Sequence, residues 1–252
     1  MKKMIIGEQI VKSFGGDGEK RPVLGGVSIE IGEGEFVAIM GPSGSGKSTL
    51  LFALSGTDAV DGGKVIFDGM DLSAASEDEL ADLRRTRMGF IFQQPTLLRN
   101  LNIMDNIILP SMRGNRRNTA AISAKAKSLM ARAGIAELEN RDITQLSGGQ
   151  LQRAGICRAL MTSPKIIFGD EPTGALNSKT AQEIMDMFSE INDEGTAIML
   201  VTHDAKVAAR AERIMFMRDG NILSELKLPK YTGTDLDSRA LDVMENMREI
   251  GI

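Results

Sequence analysis

The stretch GPSGSGKST at Gly41–Thr49 follows a short apolar run, Phe36–Met40, and leads into an apolar-rich segment that begins at Lys47. Glycines let the backbone approach an anion without a Cβ clash, and successive N–H groups at a helix start bind phosphate. In this pattern Lys47 reaches the β- and γ-phosphates, and Ser48 offers a hydroxyl to Mg²⁺. The stretch therefore predicts a nucleoside triphosphate site formed by Gly41, Pro42, Ser43, Gly44, Ser45, Gly46, Lys47, Ser48 and Thr49. We call residues 41–49 the phosphate loop.

Strand patterns alternate with helix patterns along most of the chain. Such alternation predicts a mostly parallel sheet that is covered by helices on both faces. Core strands are predicted at Phe36–Met40, Met88–Phe92, Lys165–Phe168 and Thr196–Val201, with a closing hairpin at Arg213–Met217 and Ile222–Leu226. Helices are predicted at Lys47–Leu54, Glu77–Arg85, Gln150–Met161, Ser178–Ile191 and Asp237–Ile250.

Two regions depart from this alternation. At the N-terminus, Ile5–Phe14 and Val27–Ile31 read as strands on either side of a polar, glycine-rich loop at Gly15–Pro22, which predicts an antiparallel β part. From Thr96 to about Gln145 strand signals vanish, and Ala120–Ala133 reads as an amphipathic helix. We therefore expect one domain over residues 1–252 with an inserted helical lobe at about 96–162.

A pair of carboxylates follows the apolar strand that is predicted before position 170. The segment reads Ile166-Ile167-Phe168-Gly169-Asp170-Glu171, and ligands of open α/β sheets bind at the carboxyl ends of the strands. Asp170 is therefore expected beside the phosphates, where it holds the metal through water. Glu171 is the candidate general base that polarises the attacking water.

A second glycine-rich turn lies far from the first in sequence. Leu146, Ser147, Gly148, Gly149 and Gln150 open a helical run, so the free N–H groups of that turn form another anion site. Two phosphate-binding turns separated by about a hundred residues indicate that one nucleotide is shared between two copies of the protein. We call residues 146–150 the signature turn.

Composition excludes some classes of partner and of chemistry. The chain carries 30 basic and 34 acidic residues, a net charge of −4, which gives no indication of nucleic acid as a partner. Its single cysteine, Cys157, excludes an internal disulfide and is expected to be buried in an apolar helix. No apolar run approaches the length that spans a bilayer, so we expect a cytoplasmic protein whose membrane role requires another chain.

The phosphate loop, the Asp170–Glu171 pair and the signature turn together resemble the ATP-binding-cassette (ABC) ATPases, over nearly the whole chain. The resemblance implies a RecA-like P-loop ATPase core that binds ATP and Mg²⁺ and hydrolyses ATP as a sandwich of two copies. It also implies that His203 contacts the γ-phosphate, because it follows an apolar strand in Thr-His-Asp. Ser147, Gly148 and Gly149 would bind the γ-phosphate of the nucleotide held by the other copy.

Three further positions take roles from the same resemblance. Phe14 occupies the place of the adenine-stacking aromatic, although a packed strand residue is the alternative. Gln93 matches the glutamine that senses Mg²⁺ and links the ATP site to the helical lobe, with Gln94 as a neighbour one residue away. Gly174–Asn177 matches the loop that crosses to the other copy, where the family usually has aspartate in place of Asn177.

The branch of the family that the chain resembles contains macrolide exporters, lipoprotein-releasing ATPases and bacitracin-type exporters. It implies an energy-coupling subunit, peripheral on the inner face of the membrane, that works as a homodimer on a separate integral membrane permease, with export of antimicrobial peptides as the leading function. The alternatives are the macrolide or lipoprotein members of the branch and an ABC ATPase of non-membrane machinery. Permease docking is expected on the helical lobe, with Leu97, Leu98 and Leu101 as candidates for either docking or lobe packing.

Overall fold

A computed structural model describes residues 2–15, 20–113 and 118–251; positions 16–19 of the predicted N-terminal loop lie outside them. The strands are β1 (Lys3–Phe14), β2 (Arg21–Gly32), β3 (Phe36–Met40), β4 (Gly62–Phe67), β5 (Met70–Asp71), β6 (Met88–Phe92), β7 (Ile166–Asp170), β8 (Ala197–Val201), β9 (Arg213–Arg218) and β10 (Asn221–Lys227). The helices are α1 (Lys47–Leu54), α2 (Glu77–Arg87), α3 (Ile103–Met112), α4 (Thr119–Arg132), α5 (Gly148–Leu160), α6 (Ser178–Asp193), α7 (Ala205–Ala208) and α8 (Leu236–Glu249).

The larger sheet has six strands in the order β10-β9-β3-β8-β7-β6. All neighbours from β9 to β6 are parallel, and only β10 is antiparallel. Every residue of β3 and of β8 is buried, as expected for central strands with helices on both faces. This sheet confirms the α/β class and the mostly parallel core that the sequence predicts.

A second sheet of four strands, β2-β1-β4-β5, is antiparallel throughout. Helix α1 lies between the two sheets, because Leu50, Leu51 and Leu54 share one hydrophobic cluster with residues of both, such as Ile5 and Ile39. The helix that follows the phosphate loop is therefore anchored from two sides.

The helical lobe packs α3, α4 and α5 around a separate hydrophobic cluster, to which Ile107, Met130 and Cys157 contribute. The sequence predicts only one helix between residues 96 and 145, and the structure adds α3. Pro110 lies inside α3, and proline within an apolar pattern argues against a helix because it lacks an N–H donor. Leu97 packs into this cluster, whereas Leu98 is 45% exposed.

The entry into the lobe is held by one buried side chain. Asn106 has no exposed surface, and the two N–H groups of its Nδ2 are shared among the carbonyls of Leu98, Leu101 and Asn102, 3.0–3.1 Å away. Its Oδ1 accepts the N–H of Leu98 at 2.7 Å. One buried amide thus contacts four backbone groups, of which the Leu98 and Asn102 carbonyls also accept backbone N–H groups.

We expect Asn106→Leu to lower the free energy of unfolding by about 2 kcal/mol, since the substitution removes the side-chain partner of the Leu98 N–H and of the Leu101 carbonyl in a buried site. Urea unfolding measures the change. Asn140→Leu, at an exposed asparagine of the same lobe, is the control and should stay within about 0.5 kcal/mol of the unaltered protein. Equal midpoints for the two variants would contradict the assigned role of Asn106.

Candidate functional site

The candidate residues converge on one edge of the larger sheet. The neighbouring strands β3, β8, β7 and β6 are parallel, so their carboxyl ends meet at the same edge. The phosphate loop follows β3, His203 follows β8, Glu171 follows β7 and Gln93 follows β6. Residues that are far apart in sequence are thereby brought to a common site.

The phosphate loop leaves no room for side chains at two of its glycines. A Cβ on Gly41 would lie 2.1 Å from the carbonyl oxygen of Met217, and one on Gly46 would lie 2.9 Å from that of Val23. Gly46 also has φ of 98°, a left-handed value that other residues rarely adopt, immediately before α1 begins. The backbone N–H groups at this helix start are consequently free to face an anion.

Lys47 closes the phosphate loop on itself. Its buried Nζ donates to the carbonyl oxygens of Gly41 and Pro42, both at 2.8 Å. Burial lowers the pKa of Lys47, and the nearby carboxylates of Glu171 and Asp170 partly oppose that shift. Because the net shift is still downward, a bound phosphate would compensate the remaining desolvation of the ammonium group.

The space in front of the phosphate loop suits a nucleotide. A cavity of about 410 Å³ is bounded by the loop, Phe14, Glu171 and His203. The Ser45 hydroxyl within the loop is buried and has no hydrogen-bond partner within the described part of the chain. The Phe14 ring is 47% exposed, with Lys12 Nζ 5.2 Å from its centroid, so it offers a flat surface to a base.

Three oxygen-bearing side chains meet where a metal is predicted. Ser48 Oγ donates to Asp170 Oδ1 at 2.9 Å, and both residues border a cavity with Gln93 and Glu171. Burial raises the pKa of Asp170, and its hydrogen bond from Ser48 opposes the shift. Hydroxyl, carboxylate and amide oxygens are the ligands that Mg²⁺ takes, so the donor set fits that ion.

Glu171 is held in a strained backbone conformation. Its φ is 47°, in the left-handed region, which costs a non-glycine residue about 1–3 kcal/mol. The conformation is fixed on both sides, because Glu171 N–H donates to Val201 O at 2.9 Å and Glu171 O accepts from Gly174 N–H at 3.0 Å. His203 Nδ1 then donates to Glu171 Oε1 at 2.9 Å, so the imidazole orients the carboxylate.

The signature turn caps a helix and lies apart from this cluster. Ser147 is the N-cap of α5, and its Oγ accepts from Gln150 N–H while Gln150 Oε1 accepts from Ser147 N–H. Ser147 and Gly148 are exposed, and Leu146 packs against the lobe cluster. None of the signature residues borders the three described cavities to which Glu171 contributes. One copy therefore presents the phosphate loop and the signature turn separately.

Two further residues lie near the site and form hydrogen bonds with the backbone of the elements around it. Asn177 is the N-cap of α6, with Oδ1 accepting from Thr180 N–H at 3.0 Å; asparagine caps as well as aspartate does, so the helix start is kept. Gln152, which the sequence reading did not single out, is buried beside the ends of β6 and β7. The sequence does contain a signal for Gln152, because it is a polar residue on the otherwise apolar face of a predicted helix.

Comparison with known proteins gives consistent matches. A family model described as ABC transporter matches residues 24–174. The chain is 42% identical over 231 residues to the macrolide export ATP-binding/permease protein MacB of Marinobacter nauticus, covering 92% of this chain and 35% of that protein. It is 41% identical over 218 residues to the bacitracin export ATP-binding protein BceA of Halalkalibacterium halodurans, covering 86% of each. The chain thus spans about a third of the length of the macrolide export relatives.

Solved structures agree with this similarity. A dimeric ATP-binding cassette in a post-hydrolysis state with ADP and Pi has a TM-score of 0.81 and 36% identity, covering 90% of this chain and all of that one. A second dimeric structure, of a bacterial ABC transporter cassette, has a TM-score of 0.82 and 38% identity with the same coverage. Within the described residues, no helix combines the length and the apolar character needed to cross a membrane.

Proposed function

The chain belongs to the family of ABC transporter ATPases, and from this premise we propose that it is the energy-coupling subunit of an exporter. Family membership means that it binds and hydrolyses ATP, as its sequence predicts. The proposal that two copies work together rests on one observation: the phosphate loop and the signature turn of one copy lie apart. A second copy, placed face to face, supplies the missing half of each ATP site.

The chemistry divides among the residues at the sheet edge. The phosphate loop and Lys47 hold the triphosphate, and Phe14 stacks on the adenine. Ser48, Asp170 and Gln93 would hold Mg²⁺, which supplies charge neutralisation at the phosphates when bound. Glu171 accepts a proton from the attacking water, and its carboxylate is oriented by His203, which also reaches the γ-phosphate.

The signature turn acts on the nucleotide of the partner copy. Its helix start directs the N–H groups of Gly148 and Gly149, together with the Ser147 hydroxyl, at the γ-phosphate that the other phosphate loop holds. Closure of the two copies therefore requires ATP, and hydrolysis removes the shared group and lets them separate. Each cycle of closing and opening can drive an attached membrane protein.

A groove on the helical lobe suits that membrane partner. A cavity of about 500 Å³, here called the lobe groove, lies between the edge strand β6 and helix α3. Phe90, Leu109 and Pro110 give it apolar walls, and Arg84, Arg85 and Arg158 border it. Arg85 Nε is buried without a hydrogen-bond partner within the described residues. These features fit an amphipathic cytoplasmic helix of a permease that carries an acidic residue.

Cross-linking tests the lobe groove as the docking surface. A cysteine at Leu109, which is 44% exposed, should cross-link to the co-expressed permease; one at Glu245 in α8 is the control and should not. The native Cys157 will not interfere, because it is 1% exposed and burial raises its pKa to about 12. Cross-links from Glu245 but not from Leu109 would place the permease elsewhere.

The transported substrate is proposed from the relatives. The bacitracin export protein is matched over most of its length, so the export of bacitracin that its name states supports export of antimicrobial peptides, with this ATPase on the inner face of the cell membrane. Macrolide export is the second candidate, since those relatives reach 42% identity. Deleting the gene and measuring growth inhibition by bacitracin and by a macrolide separates the two. Unchanged sensitivity to both would instead favour lipoprotein release or non-membrane machinery.

A further inference from the structure

Gln152 connects the signature helix to two strands of its own ATP site. The residue lies in α5, five positions after Ser147, and is 1% exposed. Its Nε2 donates to Phe92 O at 3.0 Å and to Pro172 O at 2.7 Å. Phe92 directly precedes Gln93, and Pro172 directly follows Glu171. One side-chain amide therefore spans the two segments that carry the candidate metal-sensing amide and the candidate base.

The bridge makes specific chemical demands. A primary amide has two N–H groups on one nitrogen, and both are used here to satisfy carbonyl oxygens. Strands β6 and β7 are paired up to Phe92 and Asp170, and the two carbonyls lie at and just beyond the end of that pairing. Buried carbonyls without donors cost free energy, so a side chain that lacks the donors would let these two carbonyls reorient. The side chains of Gln93 and Glu171, which these two segments carry, lie close together. A Cβ on Gly174 would lie 3.1 Å from Gln93 Nε2 and 3.3 Å from Glu171 Oε2, so the two side chains flank the same glycine.

We propose that Gln152 is a positioning residue that makes each hydrolysis site respond to the nucleotide bound by the signature turn of the same copy. The inference rests on the proposed sandwich of two copies. When the start of α5 is drawn onto the partner's γ-phosphate, the helix carries Gln152 with it. The amide then sets the positions of the Phe92 and Pro172 carbonyls, and hence of Gln93 and Glu171. Displacements of about 1 Å in a catalytic group can change a rate by about a hundredfold.

The test separates catalysis from nucleotide affinity. Gln152→Met keeps the volume but removes both donors. We expect kcat for ATP hydrolysis to fall about tenfold or more, and the positive cooperativity in ATP concentration to be lost. The Kd of a fluorescent ATP analogue, measured on the isolated protein without Mg²⁺, should change less than about twofold, because Lys47 and the phosphate loop are untouched. Gln182→Met, at an exposed glutamine of α6, is the matched control and should leave all three quantities unchanged.

A second variant tests the loss of a donor with the shape of the side chain kept. Gln152→Glu keeps the shape and, when protonated, can donate only one hydrogen bond, so its kcat should fall in the same direction with affinity retained. If kcat and cooperativity are unchanged in both variants, the inference is overturned. If kcat, analogue affinity and thermal stability fall together, Gln152 is only structural, and the inference is again overturned. The proposed function fails separately, if the unaltered protein neither hydrolyses ATP cooperatively nor associates in its presence.

Discussion

Replacing Glu171 by glutamine should lower ATP turnover by about 10²–10⁴-fold and should trap the two copies together when ATP is present. The amide keeps the shape of the side chain but cannot accept the proton of the attacking water. Its Oε1 can still accept a hydrogen bond from His203, which reaches the carboxylate at 2.9 Å in the unaltered protein. The γ-phosphate then stays in place between the phosphate loop of one copy and the signature turn of the other.

Steady-state hydrolysis and light scattering with and without ATP check both parts of this expectation. Glu137→Gln, at an exposed glutamate of the helical lobe, is the matched control and should hydrolyse ATP normally. Normal turnover by Glu171→Gln would exclude it as the base. A monomer under both conditions would speak against the shared site.

Lys47→Ala is expected to abolish measurable ATP binding and turnover. The substitution removes a buried cation that faces the site and leaves the carbonyls of Gly41 and Pro42, which Lys47 Nζ contacts at 2.8 Å, without their donor. The desolvated ammonium, whose pKa burial lowers, is poised to gain much of its stabilisation from phosphate. Losing it therefore affects the ligand more than an exposed lysine would.

Titration with a fluorescent ATP analogue gives the binding result, and phosphate release gives turnover. Lys47→Met, which retains much of the side-chain volume, separates the loss of charge from the loss of packing and should fail to bind as well. Lys227→Ala, at a lysine whose side chain is 76% exposed, should behave as the unaltered protein does. Turnover by Lys47→Ala at the unaltered rate would refute the assignment of the phosphate loop.

The sequence predicts the elements that have strong local signals. The bounds of α1 and β6 agree with the structure, because the phosphate loop ends where α1 starts and because β6 is a short, continuous apolar run. Strand β2 begins at Arg21 rather than at the predicted Val27, since its first residues are exposed and are held by pairing with β1. That pairing is a tertiary effect, which a local pattern does not contain.

The candidate site shows the same division. The carboxyl ends of parallel strands predict that Ser48 and Asp170 approach one another, and their oxygens are 2.9 Å apart. The left-handed backbone of Glu171 has no signal in the sequence, because glutamate rarely adopts it and the turn is imposed by Val201 and Gly174. The partners of Gln152 are likewise unpredictable, since both are backbone carbonyls at the ends of distant strands.

At position 171, the residue that would favour stability differs from the residue that the proposed catalysis requires. Glycine would adopt φ of 47° without steric penalty, so a Glu171→Gly change would relax the turn while deleting the proposed base. Under the role proposed for Glu171, the glutamate gives up stability for activity, as strained active sites in general do.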